Sequence, residues 1–204
     1  MNFIFKLFWI ILGYLFGSLN FGIIIGKVFF KKDIREYGSR NAGGTNAGRV
    51  LGKPIGLLVI ILDALKGLII MALCNLFYKD AVAICGLMAC IGHCYPVFYE
   101  FKGGKAVATG FGYLIGVGLF VSGDVVFSFI CPGLIFLLVL CLFKMVSLSS
   151  MVAFISATII MLLTTGTSEV TLCVFLITCL LIYRHRANIL RIIKGEESKV
   201  SFIS

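Results

Sequence analysis

Residues Asp33–Arg49 read DIREYGSRNAGGTNAGR and separate two long apolar runs, Phe3–Phe30 and Ile55–Phe77. Within the stretch, Gly38, Gly43, Gly44 and Gly48 alternate with Ser39, Asn41, Thr45 and Asn46 and with Arg35, Arg40 and Arg49. Glycine lets a backbone bend until successive N–H groups converge on an anion. Hydroxyl and amide side chains add short hydrogen bonds, and arginine supplies a bidentate fork for phosphate. The stretch therefore reads as a phosphate cradle at a membrane surface. The competing reading is a flexible basic loop that only anchors topology.

The surroundings of the cradle are apolar. Of 204 residues, 60% are hydrophobic and 13% charged, and the mean hydropathy is +1.10. That charged share is about half the value usual for a soluble domain. Several runs reach the ~20 residues that cross a bilayer as helix. The sequence predicts an all-α membrane protein, residues 1–204, forming a single integral-membrane domain. The expected runs are Phe3–Phe30, Ile55–Phe77, Ala81–Gly92, Ala106–Gly123, Val125–Phe143, Met151–Thr164 and Val170–Tyr183. The first is too long and too interrupted for a cleaved signal peptide. About seven transmembrane helices result, with the N-terminus outside, the C-terminus cytoplasmic, and re-entrant or interfacial segments on the cytoplasmic side.

Charge placement supports that orientation. The net charge is +9, and fourteen of the eighteen Lys and Arg fall within 31–53, 100–105, Lys144 and 184–199. With seven spans, segments 31–53, 92–105, 144–150 and 184–204 share the cytoplasmic face, the positive-inside arrangement. Nucleic-acid binding is excluded, because the bases sit in short loops with no soluble domain to present them. Seven of the eight cysteines lie inside apolar runs and none forms a CxxC pair. They read as small buried hydrophobes rather than zinc ligands or disulfide partners.

Along the chain, Asn20 falls in the middle of an apolar run and must find a partner inside the bundle. Asp63 and Lys66 are spaced to share one helical face, as an ion pair bracing the bundle or as support for the cradle. Residues 92–109 read GHCYPVFYEFKGGKAVAT. Pro96 and the Gly103–Gly104 pair break helix there, so run three is expected to dip in and leave through irregular backbone. Lys102 and Lys105 flank the glycines as a second anion-friendly arrangement. Pro132 is expected to kink run five near its outer end. Residues 144–150, KMVSLSS, place Ser147, Ser149 and Ser150 where hydroxyls cap the next helix or reach an oxyanion. In the tail, Arg184, Asn188 and Arg191 share one helical stripe, with His185 beside Asn188. A basic amphipathic helix at the interface is the alternative.

Three basic, glycine- or hydroxyl-rich segments suit a small phosphorylated molecule beside lipid. There is no GxxxxGK[ST] nucleotide loop, no HExxH, no carboxylate cluster for a metal and no GxSxG nucleophile elbow. Neither histidine is followed five residues later by aspartate, since Phe98 and Leu190 stand there. No metal and no cofactor is expected. A transporter for a small organic phosphate is the rival class, but it predicts paired discontinuous helices and an internal repeat that the sequence lacks.

GSRNAGGTNAGR (38–49), GHCYPVFYEFKGGKAVAT (92–109) and RHRANILRIIKGEESK (184–199) resemble the three signature segments of the bacterial integral-membrane acyl-phosphate:glycerol-3-phosphate acyltransferases. LDALKG (62–67) and KMVSLSS (144–150) also look like family segments, in the same order along the whole chain. The resemblance implies transfer of a fatty acyl group from acyl phosphate to the 1-position of sn-glycerol 3-phosphate. The products would be lysophosphatidic acid and phosphate, the first step of bacterial phospholipid synthesis at the cell membrane, with the active site facing the cytoplasm. It implies as partners the two substrates, membrane lipid and the soluble enzyme that makes acyl phosphate. By matching position, Ser39, Asn41, Thr45, Asn46 and Arg49 would bind phosphate in the first segment. Lys102 and Lys105 would do so in the second, Ser147 in the serine turn, and His185 with Asn188 in the last. Arg49, Lys105 and His185 carry the expected catalytic roles. The chain departs from the family at Arg40 and Ala106, where Gly is usual, at Gly44 (Ala) and at Asn20 (Pro).

Overall fold

A computed structural model describes residues 2–200, so Met1 and residues 201–204 of the expected domain lie outside the described part. The described residues are mainly helical with no strand, in two compact units that divide between Gly116 and Val117.

In the first unit, α1 (Asn2–Gly17) and α2 (Phe21–Phe30) are one apolar run bent by 42°. Ser18 Oγ turns back to the Tyr14 carbonyl at 2.8 Å, and Asn20 Oδ1 accepts from Ile23 N at 3.1 Å. Asn20 thus finds its partner one turn ahead, as the N-cap of a new helix. The second half of the expected cradle loop is itself helix, α3 (Gly44–Leu51). It packs on α4 (Lys53–Phe77) at Gly48 and Gly56, where a Cβ on Gly56 would collide with the Gly48 backbone. α5 (Val82–Cys94) packs on α1 and α4. α6 (Val107–Val117) lays Gly112 on the Ala64 carbonyl of α4. Small residues let helix backbones approach this closely in lipid.

In the second unit, π-helical turns at Gly118–Ser122 and Val126–Ile130 precede α7 (Cys131–Phe143). α7 continues the π-helical turn Val126–Ile130 without a break, and Pro132 lies just past the junction. α8 (Val146–Thr165) packs between α7 and α9 (Glu169–Arg184), with Thr158 and Thr178 hydroxyls paired at 2.8 Å. α9 meets α10 (Arg186–Ile193) at a 58° bend.

Among the described residues, four stretches are long and apolar enough to cross a membrane: Lys53–Phe77, Lys79–Tyr99, Val126–Phe143 and Val146–Thr165. Counting each bent pair as one span gives up to six, and Val107–Ser122 is a shorter apolar helix. Run three is long enough to span by itself, because 3₁₀ turns at Lys79–Ala81 and Val97–Tyr99 extend α5 at both ends. Leu134, Leu137, Leu138 and Leu142 of α7 face outward, the surface expected against lipid tails.

Candidate functional site

In the first unit, the cradle closes around Asn46, which is 1% exposed. Its Nδ2 donates to the carbonyls of Ile34 at 2.8 Å and Tyr37 at 3.1 Å, and its Oδ1 accepts from Ser39 N at 2.8 Å. Asn46 is thereby engaged on backbone and shapes the turn. Gly38 and Arg40 complete the turn at φ +58° and +57°. Ser39, Thr45 and Arg49 face outward, and Asn41 is half-buried. Because α3 has replaced the loop, Thr45 and Arg49 stand one turn apart on a single helical face.

The second segment is a folded loop in the same unit. Phe101 N donates to Pro96 O at 3.0 Å, Gly103 N to Cys94 O at 3.2 Å and Gly104 N to His93 O at 3.0 Å. Lys105 follows the glycines and is half-buried. Lys102 is exposed and pairs with Glu100 at 2.8 Å, a surface contact of little energetic weight.

Arg35 joins the two segments. Its Nη1 donates to the carbonyl of Tyr99 at 3.0 Å, while Asp33 holds it from behind through Nη2 at 2.7 Å and Nε at 3.0 Å. Lys27 reaches the same carboxylate at 3.1 Å. The hydrogen-bonded Arg35 guanidinium holds the Asp33 carboxyl far below the usual carboxylate range against the opposing effect of burial. Asp33 in turn raises Arg35 further above its already basic value. Deeper in the unit, Asp63 and Lys66 form the expected ion pair at 3.0 Å, both 1% exposed.

In the second unit, polar groups gather on a carboxylate. Ser147 Oγ and Asn188 Nδ2 donate to Glu197 Oε1 at 2.7 and 2.6 Å, and Arg191 Nε to Glu197 Oε2 at 2.8 Å. Burial pushes the Glu197 carboxyl up, but the hydrogen bonds from Ser147, Asn188 and Arg191 outweigh it and leave the group below its ordinary value. Ser149 and Ser150 bond back to Met145 and Val146 within α8 and leave Ser147 as the serine turned to Glu197.

His185 sits at the α9–α10 bend, 3% exposed. Its Nδ1 lies 2.8 Å from the Leu181 carbonyl, which can only accept, so Nδ1 carries the proton and Nε2 is the basic nitrogen of the neutral ring. The bend also breaks the expected stripe: Arg184 ends α9, while Asn188 and Arg191 belong to α10.

One participant, Glu197, was not singled out from the sequence, and the contact by which Arg35 joins the two segments was not foreseen. For Glu197 a signal existed, since Glu196 and Glu197 are the acidic residues of the basic stretch 184–199. For the Arg35 contact none did, because its partner there is the Tyr99 carbonyl, 64 positions away.

The glycerol-3-phosphate acyltransferase family model matches residues 7–195. Curated glycerol-3-phosphate acyltransferases of Staphylococcus aureus (strain JH9) and Staphylococcus carnosus (strain TM300) are each 42% identical, over 95% of this chain and 97% of theirs. Two solved structures of PlsY (YgiH), an integral membrane glycerol 3-phosphate acyltransferase, are similar at 37% identity over 97% of this chain and 96% of theirs. The glycerol 3-phosphate form superposes with a TM-score of 0.87 and the lysophosphatidic acid form with 0.84.

Proposed function

The chain belongs to the glycerol-3-phosphate acyltransferase family, as an integral membrane enzyme, and we propose that it takes its acyl group from acyl phosphate. The acceptor is the 1-hydroxyl of sn-glycerol 3-phosphate, and the products are lysophosphatidic acid and inorganic phosphate. Family membership sets aside the transporter reading.

Acyl phosphate is a mixed anhydride that already carries its leaving group. The acceptor hydroxyl oxygen attacks the acyl carbon, the bond from that carbon to the phosphate oxygen breaks, and the hydroxyl proton passes to a substrate phosphate oxygen. No covalent enzyme intermediate is needed. The protein holds two mutually repelling anions and orients the hydroxyl, a positioning effect that contributes about 7–11 kcal/mol in favourable cases. Ser39, Asn41, Thr45, Arg49, Lys102 and Lys105 serve phosphate in the first unit, with Asn46 shaping their turn. Ser147, His185 and Asn188 serve it in the second, and His185 Nε2 is an alternative proton acceptor. Fixed donors aimed at developing negative charge lower the barrier further.

The observation that carries this reading is the meeting of Ser147 and Asn188 on one carboxylate oxygen, at 2.7 and 2.6 Å. Two residues expected to bind phosphate already converge on an oxyanion.

The whole chain acts as one acyltransferase domain with seven spans: the four long stretches, the two bent pairs and Val107–Ser122. The N-terminus is outside, and the basic segments meet cytoplasmic substrates and the soluble enzyme that makes acyl phosphate. The membrane is the bacterial cell membrane.

The test supplies purified full-length protein with glycerol 3-phosphate and, separately, acyl phosphate, acyl-CoA and acyl-carrier protein. Lysophosphatidic acid from acyl phosphate alone is expected; product from a thioester but not from acyl phosphate would overturn the donor. Arg49→Ala and Lys105→Ala should each lower the rate by on the order of 10²-fold or more at normal abundance.

A further inference from the structure

Asp63 and Lys66 lie on one face of α4, buried in an apolar helix, and no step above uses them. An ammonium carries three protons and accepts none. Lys66 Nζ has three acceptors in reach: Leu19 O at 2.7 Å, His93 Nδ1 at 2.9 Å and Asp63 Oδ1 at 3.0 Å. His93 Nδ1 is therefore an acceptor, and the ring proton sits on Nε2. That nitrogen faces the glycine loop, for a Cβ built on Gly104 would collide with His93 Nε2 before any other atom. The backbone repeats the link through Gly104 N to His93 O, and Lys105 is the next residue.

The loop needs such a hold. Glu100, Phe101 and Ala106 all lie at φ of +56° or +57°, a left-handed region costly for residues with a Cβ. Strain of this kind persists only where the surroundings over-determine the conformation. Arg35 supplies a restraint from the Tyr99 carbonyl. The buried cluster supplies one at the other end of the loop.

We propose that His93, fixed by Lys66 and Asp63, is a positioning residue that holds the Gly103–Gly104 turn and through it aims Lys105 at the substrate phosphate. The proposal rests on the reading of Lys105 as a phosphate ligand. An ion pair that merely braced the helices would require neither the imidazole nor a bare Cα beneath it.

The experiment uses the full chain in lipid and measures kcat, KM for both substrates, melting, and amide hydrogen exchange across residues 99–106. His93→Ala and Gly104→Ala are each expected to lower kcat/KM by on the order of 10²-fold, the usual scale for a small misplacement. Both should lower melting, since each disturbs a buried contact, and should speed exchange at 99–106 more than elsewhere in the first unit. His93→Gln, which restores an N–H at similar reach, should recover most of the loss. Unchanged kinetics, or unchanged exchange across the loop, in His93→Ala would overturn the proposal. Should His93→Ala not fold, His93→Gln and Gly104→Ala decide, and parent-like rates in both overturn it. Lys105→Ala separates the two readings. If it retains full activity, the phosphate-ligand reading fails and exchange alone decides whether His93 holds the turn. If it is inactive while His93→Ala is not, only the positioning role fails.

Discussion

In the first unit a polar turn closes on an amide; in the second, polar side chains close on a carboxylate. Asn46 engages two carbonyls and one backbone N–H and brings no charge. Glu197, with its side chain 5% exposed, engages the side chains of Ser147, Asn188 and Arg191 and brings a negative charge that Arg191 balances. The amide hub builds shape from backbone and adds no counter-charge beside Arg49. The carboxylate hub builds a donor set by giving it an anion to point at. Chemistry that looks alike in sequence, Asn and Glu among small and basic residues, thus does two different things.

Swapping the hub chemistry is the strongest way to break this comparison. Asn46→Asp sets carboxylate oxygen against the Ile34 and Tyr37 carbonyls and should cost about 3 kcal/mol or more of stability, or prevent folding. Asn46→Ala, which leaves Ser39 N unpaired and takes a second donor from the Ile34 and Tyr37 carbonyls, should cost about 2 kcal/mol. Glu197→Gln keeps an oxygen for Ser147 and Asn188 and loses the charge-assisted bond to Arg191, for about 1–2 kcal/mol. Denaturant or thermal melting in detergent measures all three. A mild Asn46→Asp beside a severe Glu197→Gln would show that the two hubs are misread.

Acid sharpens the same contrast. Burial opposes ionisation of Glu197, but its three donors hold the folded carboxyl below the ordinary 4.5. Its stabilisation is therefore complete above that value and fades as pH falls through the lower folded one. Asp33, held down chiefly by its hydrogen bond to Arg35, behaves in the same direction. Melting should drop below about pH 4, and Glu197→Gln should flatten part of that drop. Asn46→Ala should shift the whole curve without changing its shape, because an amide does not titrate.

The apolar runs were legible because length and hydropathy are local properties. Their breaks were not. The bend at Ser18–Asn20 involves two side-chain contacts with nearby backbone, and the π-helical turns that flank Gly123 leave no mark in the hydrophobic periodicity. Glycine-rich spacing in 38–49 suggested a loop, yet Gly48 and Gly56 press α3 onto α4 and make half of it helix. The polar segments named from sequence are where polar groups gather in each unit. What sequence could not assign was who holds whom. Ser147 and Glu197 are 50 positions apart and Arg35 and Tyr99 are 64, and only the fold pairs them.

The smallest effects concern left-handed residues, which both units contain. Arg40 and Ala106 stand where the family usually has glycine, and both lie at φ +57°. Lys144, also at +57°, ends α7 in the position glycine prefers after a helix. A side chain in this region costs about 1–2 kcal/mol, and glycine forfeits roughly half to all of the gain through its greater unfolded freedom. Arg40→Gly, Ala106→Gly and Lys144→Gly should each therefore stabilise by about 0.5 kcal/mol. Activity separates them. Lys144→Gly should leave the rate unchanged, since its strain sits at a helix end. Ala106→Gly loosens the residue next to Lys105 and should slow turnover even as melting rises, because there the strained backbone helps fix where the ammonium points. Equal or faster turnover in Ala106→Gly would mean that the strain at 106 is tolerated rather than used.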